Sequence, residues 1–214
     1  MTLLIYKICI LYPFILISLP QNVFAGSKIY IIRHAEVDVE KPGWCSSKKS
    51  FIYRENYNKA PVRTFDPETT LKKIDNSEEV DTVFCSPQLR AIQTALILFN
   101  NTVILNINDN LMELQYPVIK WPVIRMPARV WTATSLISWM AGINNDSIPT
   151  YRQRKQCLEN YSQEFIDYAE RHGECIIVAH GVVNRELIRI LQKKGWKYKH
   201  KEGYRNLSVN CLEK

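Results

Sequence analysis

Arg33 and His34 stand directly after the apolar run Ile29-Tyr30-Ile31-Ile32. A guanidinium holds a phosphoryl group through a forked, permanently charged contact. A neutral imidazole nitrogen beside it can attack phosphorus. A second histidine, His180, follows the apolar run Ile176-Ile177-Val178-Ala179 and precedes Gly181 and a helical pattern. The backbone N–H groups at such a helix start favour an anion, and a glycine there lets the backbone come close. A second arginine, Arg90, follows the strand-like Val80–Cys85 and the pair Ser86-Pro87. Taken singly, these residues read as a surface turn, a structural histidine and a helix charge. Taken together they are three strand ends that deliver two arginines and two histidines to one edge, where open α/β sheets bind ligands. Two cations and two imidazoles around one point suit a dianionic phosphoryl group.

Strands and helices must alternate to place these groups. Ile29–Ile32, Val80–Cys85, Val103–Leu105 and Ile176–Ala179 read as strands, and the alternating segment Leu207–Leu212 reads as a closing edge strand. Asp66-Pro67-Glu68 and Ser86-Pro87 each read as an N-cap followed by proline at the first helical position. The first predicts a short helix to about Ile74. The second predicts a helix with Leu89, Ile92, Leu96 and Phe99 on its apolar face. Residues 128–141 predict another helix. Thr150-Tyr151-Arg152-Gln153 is a capping box opening a helix that ends before Gly173, and a last helix covers 182–191. Residues 37–65 read as irregular. The alternation predicts one α/β domain with a mostly parallel central sheet flanked by helices and an antiparallel edge strand.

The chain of 214 residues has an ordinary composition, with 46% hydrophobic and 23% charged residues, enough for one well-cored domain. From Ile8 to Ser27 there is no charged residue, Pro20 breaks the apolar run, and Val23-Phe24-Ala25 offers small residues for a signal peptidase. Residues 1–25 therefore read as a signal peptide, and 26–214 as the catalytic domain of an exported, periplasmic or secreted protein. The alternative is a membrane anchor formed by residues 1–25, but the run before Pro20 is short against the ~20 residues of a span. After cleavage no stable membrane partner is expected. Cys45, Cys85, Cys157, Cys175 and Cys211 remain, an odd number whose pairing is not assignable, with Cys85, Cys175 and Cys211 placed like buried hydrophobes. The net charge of +7 gathers in Lys193, Lys194, Lys197, Lys199 and Lys201. With no nucleic-acid motif beside it, this points to solvation and attraction of anionic substrates. No metal-ligand spacing of Cys or His is present, so neither a metal nor another cofactor is expected.

Three segments carry a family resemblance: Arg33-His34-Ala35-Glu36, Ser86-Pro87-Gln88-Leu89-Arg90-Ala91-Ile92-Gln93-Thr94-Ala95, and Val178-Ala179-His180-Gly181. In kind and order they resemble the histidine phosphatase (phosphoglycerate mutase-like) superfamily. The resemblance implies that His34 is the nucleophile, forming a phosphohistidine, and that Arg33, Arg90 and His180, with Gly181, bind the phosphoryl group. It implies catalysis without metal. Glu113, after the third strand, falls where the family carries its general acid, with Asp109 as the rival. The chain departs from the family in the 37–65 stretch and after Glu113, where Gln115-Tyr116-Pro117-Val118-Ile119-Lys120-Trp121-Pro122 stands. The expected activity is phosphomonoester hydrolysis of a small phosphorylated substrate. A mutase and a non-catalytic phosphate-binding relative are the alternatives. Trp44, Tyr53, Tyr57, Tyr116, Trp121 and Trp131 are candidate stacking residues.

Overall fold

The structure is a computed structural model, describing residues 26–119, 123–143 and 148–214. The expected signal peptide and Trp121 lie outside the described residues. Five strands supply the centre: β1 (Lys28–Arg33), β3 (Thr82–Cys85), β4 (Ile104–Ile107), β6 (Glu174–Ala179) and β8 (Val209–Glu213). With β7 (Lys197–His200) they form a six-stranded sheet in the order β4-β3-β6-β1-β8-β7. The four strands β4, β3, β6 and β1 run parallel. Strands β8 and β7 add an antiparallel margin. The mostly parallel α/β architecture read from the sequence is the observed one.

Alternate residues of the parallel strands enter different cores. Ile29, Ile31, Phe84 and Ile177 face one apolar cluster, while Tyr30, Ile32, Val83, Cys85, Ile176 and Val178 face another. Both faces are therefore covered, which is why these strands read as unbroken apolar runs. The first face is covered by α5 (Tyr151–His172) and α6 (Gly181–Lys193), the second by α3 (Leu89–Leu98). The capping box is formed as expected: Thr150 Oγ1 accepts the Gln153 N–H, and the Gln153 side chain accepts the Thr150 N–H. Gly173 stops α5 at φ +87°, a conformation that favours glycine.

Four features differ from the expectations. The stretch 37–65 is not irregular throughout: it holds β2 (Trp44–Ser46) and the helix α1 (Ser47–Lys59). β2 pairs with β5 (Arg125–Pro127) in a separate small sheet beside α4 (Ala128–Met140). Helix α1 buries only Ser50, so it carries no apolar stripe from which periodicity could be read. The helix α3 starts at Leu89 with Gln88 as its cap, two residues later than Ser86-Pro87 suggested; Ser86 has another task, described below. Asp66 does act as a side-chain cap, accepting from the Glu68 N–H and the Thr69 hydroxyl, but the helix it opens, α2 (Glu68–Leu71), is a single turn. The basic tail contains β7, whose lysines disguised a strand.

Cys45, Cys85, Cys175 and Cys211 are buried free thiols, and Cys157 is an exposed one. No helix among the described residues is long and apolar enough to cross a membrane. Phe84 anchors the first core, with its ring edge-on to Phe165 at 5.2 Å and to Tyr168 at 5.1 Å. Phe84→Ala should cost about 3–5 kcal/mol in urea unfolding. Ile104→Ala on β4, where the side chain is largely exposed, should cost under ~1 kcal/mol in the same assay.

Candidate active site

The order β3-β6-β1 sets the site. Because β6 lies between the other two and all three are parallel, their carboxyl ends release Ser86, His180 and His34 side by side. The ring centroids of His34 and His180 are 5.0 Å apart, and both residues are fully buried. The His34 N–H donates to the Ala179 carbonyl at 3.0 Å, continuing the ladder one residue past the strand.

The His34 tautomer is fixed by its own neighbour. Nδ1 lies 2.7 Å from the Ala35 carbonyl oxygen, an acceptor, so Nδ1 carries the proton. Nε2 is left buried, unprotonated and without a hydrogen-bond partner. Burial, reinforced by the Arg90 charge, lowers the His34 pKa from its ordinary 6.5 to about 3. The imidazole is therefore neutral through the physiological range, with its lone pair directed into the site.

The second imidazole is set by Ser86. Its Nε2 lies 2.8 Å from the Ser86 oxygen. Ser86 Oγ already accepts from the Gln88 N–H, so its hydroxyl proton is free to go to His180 Nε2. That leaves Nδ1 as the N–H that faces the site, 3.5 Å from Glu113 Oε2. Burial and the Arg90 charge hold the His180 pKa well below the usual imidazole range as well. This is why Ser86 does not cap α3.

Two guanidiniums complete the charge. Arg90 is almost wholly buried at the start of α3, where Nη1 donates to Asn58 Oδ1 and Nη2 to Gln88 Oε1. Its guanidinium lies over the Tyr57 ring, 5.0 Å from the centroid. Arg33 donates from Nη1 to the Tyr204 carbonyl at 2.6 Å. Both Nε–H groups are buried without a partner. Gly181 packs closely on Arg33: a Cβ there would lie 3.3 Å from the guanidinium carbon, which would have to shift by a few tenths of an ångström. The close approach expected at Gly181 is therefore made by a side chain of the site itself.

Glu113 lines the same cavity, and Asp109 does not. The Glu113 N–H donates to Gln88 Oε1, the oxygen that also holds Arg90, so one amide ties the carboxylate to the guanidinium. Its Oε2 is 3.9 Å from Arg90 Nη2, with 29% of the side chain exposed at the mouth. Enclosure raises its pKa above the ordinary carboxylate value, outweighing the opposing pull of Arg90 and Arg33. All five sequence-predicted residues thus meet at one point. Glu36, the last residue of the first motif, turns away into surface ion pairs with Lys41 and Arg63.

The supporting residues were harder to foresee. Thr94 accepts from the Ala35 N–H and donates to the Arg90 carbonyl, joining the first motif to the second. Asn206 Nδ2 donates to the His34 carbonyl at 2.8 Å, and the Leu207 N–H donates to the Arg33 carbonyl at 3.0 Å. Leu207 sits at φ +59°, a left-handed conformation unusual for a branched residue, where the chain folds over His34. Of the candidate stacking residues, Tyr53, Tyr57 and Tyr116 line the cavity. Trp131 is instead buried, donating its indole N–H to the Cys45 carbonyl, and Trp44 is exposed on β2.

His34, Glu113 and His180 present ligand atoms within 4.8 Å of one another, the spacing of a small metal site. Arg33 and Arg90 border the same space, so a cation there meets two guanidiniums while an anion is attracted by both. The donor set fits a phosphoryl dianion better than a divalent metal.

A family model described as histidine phosphatase superfamily (branch 1) matches residues 68–214. The match takes in Arg90, Glu113 and His180 and begins after Arg33 and His34, which the fold returns to the same point. No curated protein matches the sequence. Among solved structures, a mycobacterial hydrolase superposes with a TM-score of 0.56 at 14% identity, covering 88% of this chain and 91% of its own. The ecdysone phosphate phosphatase of Bombix mori, in complex with tungstate, gives 0.52 at 12% identity over 86% and 88%. A mycobacterial glucosyl-3-phosphoglycerate phosphatase gives 0.50 at 14% identity over 79% and 81%. At these identities the likeness is one of fold.

The buried histidines make folding sensitive to acid. Because the folded pKa of His34 lies at about 3 and the ordinary value at 6.5, the unfolded chain takes up the proton first. Stability is therefore full above pH 6.5 and declines as pH falls toward 3. Between pH 7 and pH 4, urea unfolding of the unmodified protein should lose about 3 kcal/mol more than that of His34→Gln. Equal losses would show that His34 does not titrate as its surroundings require.

Proposed function

Because this chain belongs to the histidine phosphatase superfamily, we propose that it is an exported phosphomonoesterase working through a phosphohistidine, without a metal ion. The observation that carries this reading is the unpartnered Nε2 of a neutral, buried His34 beside two guanidiniums.

In this reading Arg33 and Arg90 place their unsatisfied N–H groups on the phosphoryl oxygens, and His180 adds Nδ1–H. His34 Nε2 attacks phosphorus in line as the P–O bond to the alcohol breaks. Glu113, whose pKa enclosure raises, gives its proton to the departing oxygen. It then takes a proton from the water that attacks the phosphohistidine, releasing phosphate and restoring His34 and the protonated Glu113. The charge that develops on the transferring group meets fixed cations rather than reorienting water. Ala35 contributes through its carbonyl, which stabilises the Nδ1–H of the phosphorylated imidazole.

The apolar segment before Ala25 supports export, and export favours hydrolysis over mutase chemistry, since phosphorylated acceptors are cytoplasmic intermediates. N-terminal sequencing of the secreted protein should begin at Gly26. Hydrolysis of p-nitrophenyl phosphate should proceed in EDTA, and acid-quenched enzyme should carry acid-labile phosphate. His34→Ala should lose both. Equal hydrolysis by His34→Ala would overturn the mechanism, and turnover only with an added phosphorylated acceptor would indicate a mutase.

The role of Glu113 has a distinct signature. Since it must be protonated for the first step, kcat/KM should fall as pH rises through its elevated pKa. Glu113→Gln should cost about 10²–10⁴ in kcat with an alkyl phosphate. It should cost far less with p-nitrophenyl phosphate, whose leaving oxygen needs no proton. Equal losses on both would remove Glu113 from the acid role.

A further inference from the structure

The cavity extends well beyond the phosphoryl group. Its volume is about 650 Å³, within the range that encloses a whole drug-sized ligand rather than a phosphate and a few carbons. One wall is α1, which contributes Tyr53, Arg54, Glu55, Tyr57 and Asn58. Tyr57 and Asn58 belong to the phosphoryl end. The Tyr57 ring stands edge-on to His34 at 6.3 Å and beneath Arg90, and Asn58 holds Arg90.

Tyr53 lies one helical turn from Tyr57, their ring centroids 6.2 Å apart. Arg54 is committed to the wall itself: it donates from Nη1 to the Tyr116 carbonyl at 2.9 Å and lies over the Tyr116 ring at 5.0 Å. Leu114, Leu136 and Val182 supply apolar lining. Helix α1 buries a single residue against the rest of the protein. Tyr53 packs partly against the cluster of Cys45, Ala128 and Trp131 while it also lines the cavity, so its ring is held in place beside the phosphoryl end, where a flat apolar group can lie against it.

We propose that the natural substrate is a phosphate monoester of a ring-bearing alcohol, whose ring lies against Tyr53 while its phosphoryl group is held at His34. The proposal rests on the phosphatase reading for the position of the phosphate. The competing feature is Arg185, which lines the cavity from α6 without an ion-pair partner among the described residues. A small phosphorylated acid would use that cation and leave Tyr53 untouched.

The test compares 2-phenylethyl phosphate with ethyl phosphate on the full chain. Both have alkyl leaving oxygens, so a difference reports the ring and not leaving-group chemistry. The ring ester should be at least tenfold better in kcat/KM, chiefly through KM. Tyr53→Ser should bring the ratio to within threefold, and Tyr53→Phe should restore it. Calorimetric binding of 3-phenylpropylphosphonate against propylphosphonate reads the same preference without turnover. A protein that prefers the ring phosphonate yet hydrolyses neither ester would keep the ring site at Tyr53 and lose the phosphatase reading. Equal kcat/KM for the two esters would overturn it. So would a ratio unmoved by Tyr53→Ser, or 3-phosphoglycerate surpassing the ring ester with the advantage lost in Arg185→Ala.

Discussion

Two guanidiniums and two imidazoles are gathered in a largely buried space that contains one carboxylate, and the rest of the site follows from that imbalance. Burying cations without partners is costly. The protein limits the cost in three ways. It keeps both imidazoles neutral. It satisfies the Arg90 amines with Asn58 and Gln88 and the Arg33 amine with a backbone carbonyl. It leaves the two Nε–H groups open. What is left unsatisfied is a shape and a charge that a dianion completes. A site organised before its ligand arrives has little reorganisation to undergo when charge develops.

That arrangement depends on strand order rather than on any single motif. Strand β6 lies between β3 and β1, so the residue past each end is within reach of the other two. The backbone continues the ladder past the strands, with His34 N–H on Ala179 and Ser86 N–H on Val178. The side chains therefore inherit the rigidity of a sheet covered on both faces. Thr94 then locks α3 to the end of β1, and Gln88 ties it to the loop that carries Glu113, each serving two partners at once.

The candidate site residues were legible because their setting was local: an apolar run, then a charged or polar group, then a helix signal. Arg33, His34, Arg90 and His180 could be read this way, and the covered parallel sheet with them. The partners were not legible, because each acts across the chain. Asn206 meets the His34 carbonyl across 172 residues, and Ser86 meets His180 across 94. Nothing near Asn206 distinguishes it from a turn residue. Helix α1 escaped for another reason: its inner face borders a cavity, and polar residues at a cavity wall erase the apolar stripe that marks a packed helix. In β7 the lysines at 197 and 199 point outward from an edge strand, so charge masked the alternation.

Residues 204–208 close over Arg33 and His34 from the far end of the chain, with Tyr204, Asn206, Leu207 and Ser208 all bonded to that dipeptide. His34 is synthesised about 170 residues before the segment that clamps it. A partly made chain on the ribosome holds His34 but not the segment that orders it. The pocket around His34 is thus ordered only once residues 204–208 have docked on the strand that carries it.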